Sequence, residues 1–170
     1  MSIFNLKGRQ VNVNNNTVRV DTGGCGMALT KNVATDNDVF IATVASRKSD
    51  LHQNGFVGIV WSPTDEILNH GLGTRVGGFG YYMSGDIFGF SEQIRVSPWV
   101  VGDSVAVSLK GGALAFYLNG VLVYSVPVIA EKYYFAVGSN SGDIVHECRY
   151  MSVKKPSLSW WQKALAFFGL

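Results

Sequence analysis

The chain has 170 residues, a size at which one hydrophobic core sustains a single domain without staples. Hydrophobic residues make up 47% and charged residues 15%, which excludes a disordered chain. The net charge is +2, the longest basic run is Lys154-Lys155, and no basic strip alternates with aromatics, so nucleic acid is not an expected partner.

In chain order, Met1 to Gln10 is polar and lacks the apolar run of a secretory signal. No stretch reaches the roughly 18 apolar residues that span a bilayer. The expected location is therefore soluble, either cytoplasmic or within a viral assembly. Short strands are predicted at Gln10 to Val13 and Thr17 to Val20, separated by an asparagine turn. Val39 to Ala45 and Phe56 to Trp61 are apolar, rich in β-branched and aromatic residues, and read as strands buried on two sides. The linker between them, Ser46 to Gly55, is polar. Gly77 to Phe90 is rich in glycine and aromatics and is read as two short strands.

The strongest pattern runs from Val101 to Val126. Val105, Val107 and Leu109 alternate with smaller or polar residues, and so do Leu114, Phe116 and Leu118. Gly111-Gly112 and Asn119-Gly120 separate the runs, and these residues tolerate the positive φ of two-residue hairpin turns. A three-strand meander near 104–110, 113–118 and 121–126 follows, with Val107, Leu114, Phe116, Leu118 and Phe135 buried. Further strands are expected at Tyr133 to Val137 and from Ile144 to about Val153. In the latter, Ile144, His146, Cys148 and Tyr150 share the apolar face. Helix is expected only at the end. Ser159 and Gln162 form a capping box, and Trp161, Ala164, Leu165 and Phe168 recur at helical spacing. The division is thus a β-sandwich over 1–153 and a linker with an apolar helix over 154–170.

Candidate chemistry is sparse. His52 and His70 fall in predicted loops and His146 on an apolar strand face, none with a second ligand at metal spacing. Cys25 and Cys148 form no Cys-x-x-Cys pair; they read as independent thiols, with a disulfide open only if the first and last strands pair. The four glutamates are far apart in sequence, and Asp65-Glu66 would point opposite ways on a strand, so no paired carboxylates for glycoside cleavage are seen. Gly77-Gly78-Phe79-Gly80 lacks the Lys, Ser and helix of a phosphate loop. An enzyme is not expected, nor is a cofactor.

Three ordered motifs carry a family resemblance. Gly55-Phe56-Val57-Gly58-Ile59-Val60-Trp61 looks like a glycine-containing core strand of SPRY domains. Val101-Gly102-Asp103-Ser104-Val105 looks like that family's Gly-Asp-x-Val strand, and Ala115-Phe116-Tyr117-Leu118-Asn119-Gly120-Val121 is similar to its Phe-Tyr-x-Asn-Gly hairpin. Tyr133-Tyr134-Phe135-Ala136-Val137 resembles the strand that follows, with Phe135 where the family usually has proline. The match spans roughly residues 39 to 150 and leaves out the N-terminal third. The resemblance implies an all-β, antiparallel, two-sheet concanavalin-like (SPRY-like) sandwich. It also implies a non-enzymatic module that holds a protein or peptide partner on loops at one edge. On that basis loops 46–54, 77–84 and 139–142 are expected to converge, with Arg47, Tyr81, Tyr82 and Asn140 as binding residues. Tyr81 and Tyr82 have an equal alternative as aromatics closing the core, whereas Trp61 and Trp99 read as core. Alternatives to protein binding are a lectin-like glycan-binding module or a structural component of a virus or phage particle. The C-terminal helix 158–170 has three open destinations: its own domain, a partner, or a membrane surface.

Overall fold

The computed structural model describes residues 2–21, 23–47, 55–72, 77–89, 92–128, 132–140 and 142–152. The expected helix over 158–170 and most of the 46–54 loop, including His52, lie outside the described residues.

Strands appear in chain order as β1 (Phe4–Lys7), β2 (Val11–Asn14), β3 (Thr17–Val20), β4 (Gly26–Thr30), β5 (Asp38–Arg47) and β6 (Gly55–Val60). A one-turn helix α1 (Asp65–Leu68) follows, then β7 (Gly78–Tyr82), β8 (Asp86–Gly89) and β9 (Glu92–Arg95). The series ends with β10 (Ser104–Lys110), β11 (Ala113–Leu118), β12 (Val121–Pro127), β13 (Tyr134–Ser139) and β14 (Ile144–Ser152). Among the described residues these strands make two antiparallel sheets of seven. The first has the order β1-β4-β13-β6-β7-β8-β9, and the second β12-β11-β10-β5-β14-β3-β2. The architecture is the predicted all-β sandwich.

The meander forms as its alternation dictates. Val107 pairs with Phe116 and Leu109 with Leu114, so one face of β10 and β11 is wholly apolar. Gly111, Gly112, Asn119 and Gly120 all take positive φ, between 51° and 83°, as the two tight turns require. Val107, Leu114, Phe116 and Phe135 are fully buried as expected. Leu118 is only half-buried, packed against the core's margin, because it is the last strand residue before the Asn119-Gly120 turn. Rings close the gap between the sheets: Phe40 of β5 stacks on Phe135 of β13 at 5.6 Å, and Phe116 of β11 meets Tyr81 of β7 edge-on at 6.0 Å.

The two outer faces differ. The segment 61–72 folds over the outside of the first sheet and builds a second apolar cluster there from Met27, Leu29, Phe56, Val60, Leu68, Leu72 and Tyr82. Leu72 sits in a notch of three glycines. A Cβ on Gly58, Gly78 or Gly80 would approach its side chain to 2.8, 2.7 or 2.6 Å. This explains why β6 is buried on both sides. A Cβ on Gly58 would also run into the carbonyl oxygen of Phe79 on the paired strand. Gly58→Ala is therefore expected to destabilise the fold by about 1–3 kcal/mol, as overpacking in a closed core does. An unchanged midpoint in a denaturant melt would contradict that.

Several local expectations change. The sequence pattern gave no strand at β1, β4 or β9. Asp65 and Glu66 lie in the first turn of α1, where Thr64 caps the helix by accepting from the Ile67 N–H at 3.2 Å, and not on a strand. Both cysteines are free thiols, Cys148 buried and Cys25 half-buried. His146 is fully buried, and its Nε2 donates to the Gly138 carbonyl at 3.0 Å.

Candidate functional site

Strand register decides which loops meet. Arg47, the last residue of β5, lies opposite Ile144, the first of β14. Ser139, the last of β13, lies opposite Gly26 of β4 and Gly55 of β6, and Phe56 lies opposite Tyr82. The turn after Ser139, the Arg47 end of β5 and the 83–85 turn after β7 therefore share one edge of the sandwich. Two more segments join them. The Gly102 N–H reaches the Val44 carbonyl at 2.9 Å, which brings 99–103 to the same edge, and Asp21, Gly23 and Gly24 seat against Gly142.

Asn140 is exposed on this edge, and Arg47 is half-buried there. Asn140 lies beside Gly71, where an added Cβ would stand 3.4 Å from the Cβ of Asn140 and 2.5 Å from the Tyr82 hydroxyl. The structure thus brings Asn140 and Tyr82 to one point, from opposite sides of the surface. Arg47 stands on the other sheet of the same edge.

Neither tyrosine presents its ring to solvent. They are neighbours on β7, so they point to opposite faces of the first sheet, and both faces are covered. Tyr81 enters the inter-sheet core against Trp99 and Phe116 and donates its hydroxyl to the Ser97 carbonyl. Tyr82 enters the outer cluster between Phe56 and Phe88 and donates to the Leu72 carbonyl at 2.6 Å. Burial, with the nearby Asp103 charge, pushes the Tyr81 phenol up to about 12, and burial raises Tyr82 further still, so both remain donors at any ordinary pH. Buried rather than exposed as ligand anchors would be, each ties a surface segment to the sandwich through its hydroxyl, Tyr81 the 97–99 stretch and Tyr82 the 69–72 stretch. Trp99 is fully buried, and Trp61 is half-buried against Phe79 at 6.0 Å.

The edge holds residues that the sequence gave no reason to select. Val100 and Val101 are 57% and 43% exposed, and the turn carrying them is fixed by Asp103, which accepts from the Val100 N–H at 2.8 Å. A polar hollow lined by Arg9, Gln10, Asp65, Glu66 and Asn69 opens nearby. Asn69 accepts from the Arg9 N–H at 2.8 Å, and Gln10 accepts from the Cys25 N–H at 3.0 Å, so this hollow is tied to the same loops. At the 83–85 turn, Asp86 accepts from Ser84 at 2.6 Å and from Arg95 at 2.7 Å. Burial alone would raise its carboxyl, but these bonds hold it below the usual range. Among the described residues no group of three His, Cys, Asp or Glu side chains is placed to hold a metal. No helix among them is long and apolar enough to cross a membrane.

No protein-family model matches the sequence, and no curated protein matches it. The likeness is in three dimensions. The SPRY domain of human HERC1 superposes with a TM-score of 0.67 at 17% identity, over 88% of this chain and 97% of that one. The chain has the SPRY fold. The PSpry domain of TRIM65 superposes at 0.66 with 10% identity, over 88% of this chain and 92% of its own. A carbohydrate-binding module from Bacillus subtilis, CBM66, shares the sandwich more loosely, with a TM-score of 0.52 at 12% identity over 88% and 93%. Within the SPRY fold the resembling motifs fall on named elements. The glycine-containing stretch is β6, the Gly-Asp-x-Val stretch leads into β10, and the Asn-Gly hairpin joins β11 to β12. The N-terminal third, which carries no such motif, supplies β1 and β4 to the first sheet and β2 and β3 to the second.

Proposed function

We propose that this chain is a non-enzymatic binding module that holds a protein or peptide partner on the loop edge carrying Arg47 and Asn140. The observation that carries the proposal is that this edge combines polar side chains, the exposed pair Val100-Val101 and loops fastened from beneath by Tyr81 and Tyr82. An extended peptide needs such a surface: apolar contact for area, polar groups for register, and little loop ordering to oppose binding. The SPRY fold supports the same reading.

The test is a peptide-display selection against the full chain. Binders recovered from it are expected to lose about tenfold or more in affinity on the double variant Arg47→Ala with Asn140→Ala, an effect of the size that central contacts show. Tyr82→Phe is expected to weaken them less, because it frees the 69–72 segment without removing a contact. Binders that keep full affinity for a correctly folded double variant would place the site elsewhere. A glycan array run in parallel addresses the second reading, a lectin-like module, which the likeness to CBM66 favours. Glycan signals without any peptide binder would replace the protein-binding proposal.

A further inference from the structure

The outer face of the second sheet holds a trough, and strand register lays out its walls and floor. Outward on β14 stand Glu147 and Arg149, two residues apart and so about 7 Å from each other along the strand. Opposite them on β5 are Thr43 and Ile41, and opposite those on β10 are Ser104 and Ala106. A hollow of about 470 Å³ lies over Glu147, Arg149, Thr43, Ile41 and Ser104. A second, of about 380 Å³, lies over Ala106 and its partner Tyr117 on β11. Ile41 in the first hollow is the register partner of Ala106 in the second, so the two adjoin. From β14 to β11 the trough crosses three strand intervals, about 14 Å.

The chemistry of the trough selects its occupant. Glu147 and Arg149 are exposed, and among the described residues neither side chain makes an ion pair or hydrogen bond. Thr43 and Ser104 share one bond between their hydroxyls at 2.8 Å, and each hydroxyl keeps further capacity. One carboxylate that accepts, one guanidinium that donates and two hydroxyls that do both thus face one space. An apolar segment laid there would strip water from Glu147 and Arg149 without replacing its hydrogen bonds. An anionic ligand is opposed by Glu147, and a cationic one by Arg149. A neutral ligand rich in hydroxyls satisfies all four groups, because each hydroxyl donates and accepts. At the far end the half-buried Tyr117 offers a ring for the apolar face of a sugar. We propose that this trough binds a neutral oligosaccharide, with its hydroxyls held by Glu147, Arg149, Thr43 and Ser104 and one sugar ring resting on Tyr117. The proposal rests on the lectin-like reading, to which it gives a site, and is independent of the loop edge at Arg47 and Asn140.

The experiment uses the full chain. An array printed with neutral and acidic glycans is probed with the chain mounted on a fluorescent streptavidin tetramer, whose several copies strengthen weak single-site binding. Neutral glycans are expected to bind, and the strongest of them is then titrated against the untethered chain. Glu147→Ala, Arg149→Ala and Tyr117→Ala are each expected to lower that affinity about tenfold or more. The first two, at exposed positions, are expected to leave the denaturant midpoint unchanged. Tyr117→Phe, which keeps the ring, is expected to retain the affinity, and so is the loop-edge variant Arg47→Ala with Asn140→Ala. No signal from any neutral glycan, or signals from acidic glycans alone, overturns the proposal. Neutral-glycan binding that survives all three alanine changes, or that the loop-edge variant abolishes, overturns it in favour of another site. A full chain that binds no neutral glycan, sediments as a dimer and becomes a monomer in Arg149→Ala overturns it in favour of a second copy as the occupant.

Discussion

Replacing Phe116 by alanine is expected to lower the stability of the fold by about 3–5 kcal/mol, the loss that an emptied aromatic site in a close-packed core produces. Phe116 has no solvent exposure, pairs with Val107 across the β10–β11 ladder and meets Tyr81 edge-on from the other sheet. The cavity cannot collapse easily, because it is walled by strands of both sheets, whose spacing is set by their hydrogen bonds. Denaturant melts read the loss. A change below about 1 kcal/mol would mean that Phe116 does not span the gap between the sheets.

The second large effect is a fall in stability with acid, carried by His146. Its imidazole is fully buried, and burial pulls its pKa from 6.5 down to about 4, against the opposing effect of the bond to the Gly138 carbonyl. A carbonyl only accepts, so Nε2 carries the proton and Nδ1 offers a lone pair inside the core. Between those two values the unfolded chain binds a proton that the folded chain refuses. The stability is therefore complete above pH 6.5 and falls as pH drops toward 4, by about 3 kcal/mol over the window. Asp38 and Asp86, whose hydrogen bonds outweigh burial and keep their carboxyls below the usual range, add their losses only at lower pH. In His146→Gln, which can still donate to the Gly138 carbonyl, the slope between pH 6.5 and 4 is expected to vanish. A wild-type profile that is flat across that window would show that His146 is solvated.

The sequence made legible what alternation and turn chemistry record. The meander with its Gly-Gly and Asn-Gly turns, the apolar side of β14 and the burial of Phe116 and Phe135 all follow from period two and positive φ. What escaped had no such mark. All five residues of β4 are buried, so Gly26–Thr30 has no polar partner face against which to alternate. β9 is nearly the reverse, with exposed or half-buried residues throughout. Helix α1 is one turn long, too short for a 3.6-residue period to emerge.

The loop edge shows the same limit. Arg47 ends β5 and Asn140 follows β13, both at the same edge of the sandwich. Tyr81 and Tyr82 do not reach the surface: Tyr81 points between the sheets, and Tyr82 is covered by 61–72, a tertiary fact that no local pattern encodes. Val100 and Val101 gave no signal either, being two valines at the start of an apolar run and indistinguishable from core until the Asp103 turn lifts them out.

The position of β13 and β14 has a consequence for how the molecule is made. These last two strands are not added at the margins. β13 lies between β4 and β6 in the first sheet, and β14 between β5 and β3 in the second. Until residues 134–152 leave the ribosome, β4 and β6 have no common neighbour, and neither do β3 and β5. Each sheet is then split in two, and the four part-sheets present four unpaired inner edges, each an open template for pairing with another chain. Closing them requires joining Asp38–Arg47 to Ile144–Ser152 across about a hundred intervening residues, a high-contact-order step of the slow kind. Completion of both sheets therefore waits for the same late stretch, 134–152, and the interval before it is when the chain most needs protection from its neighbours.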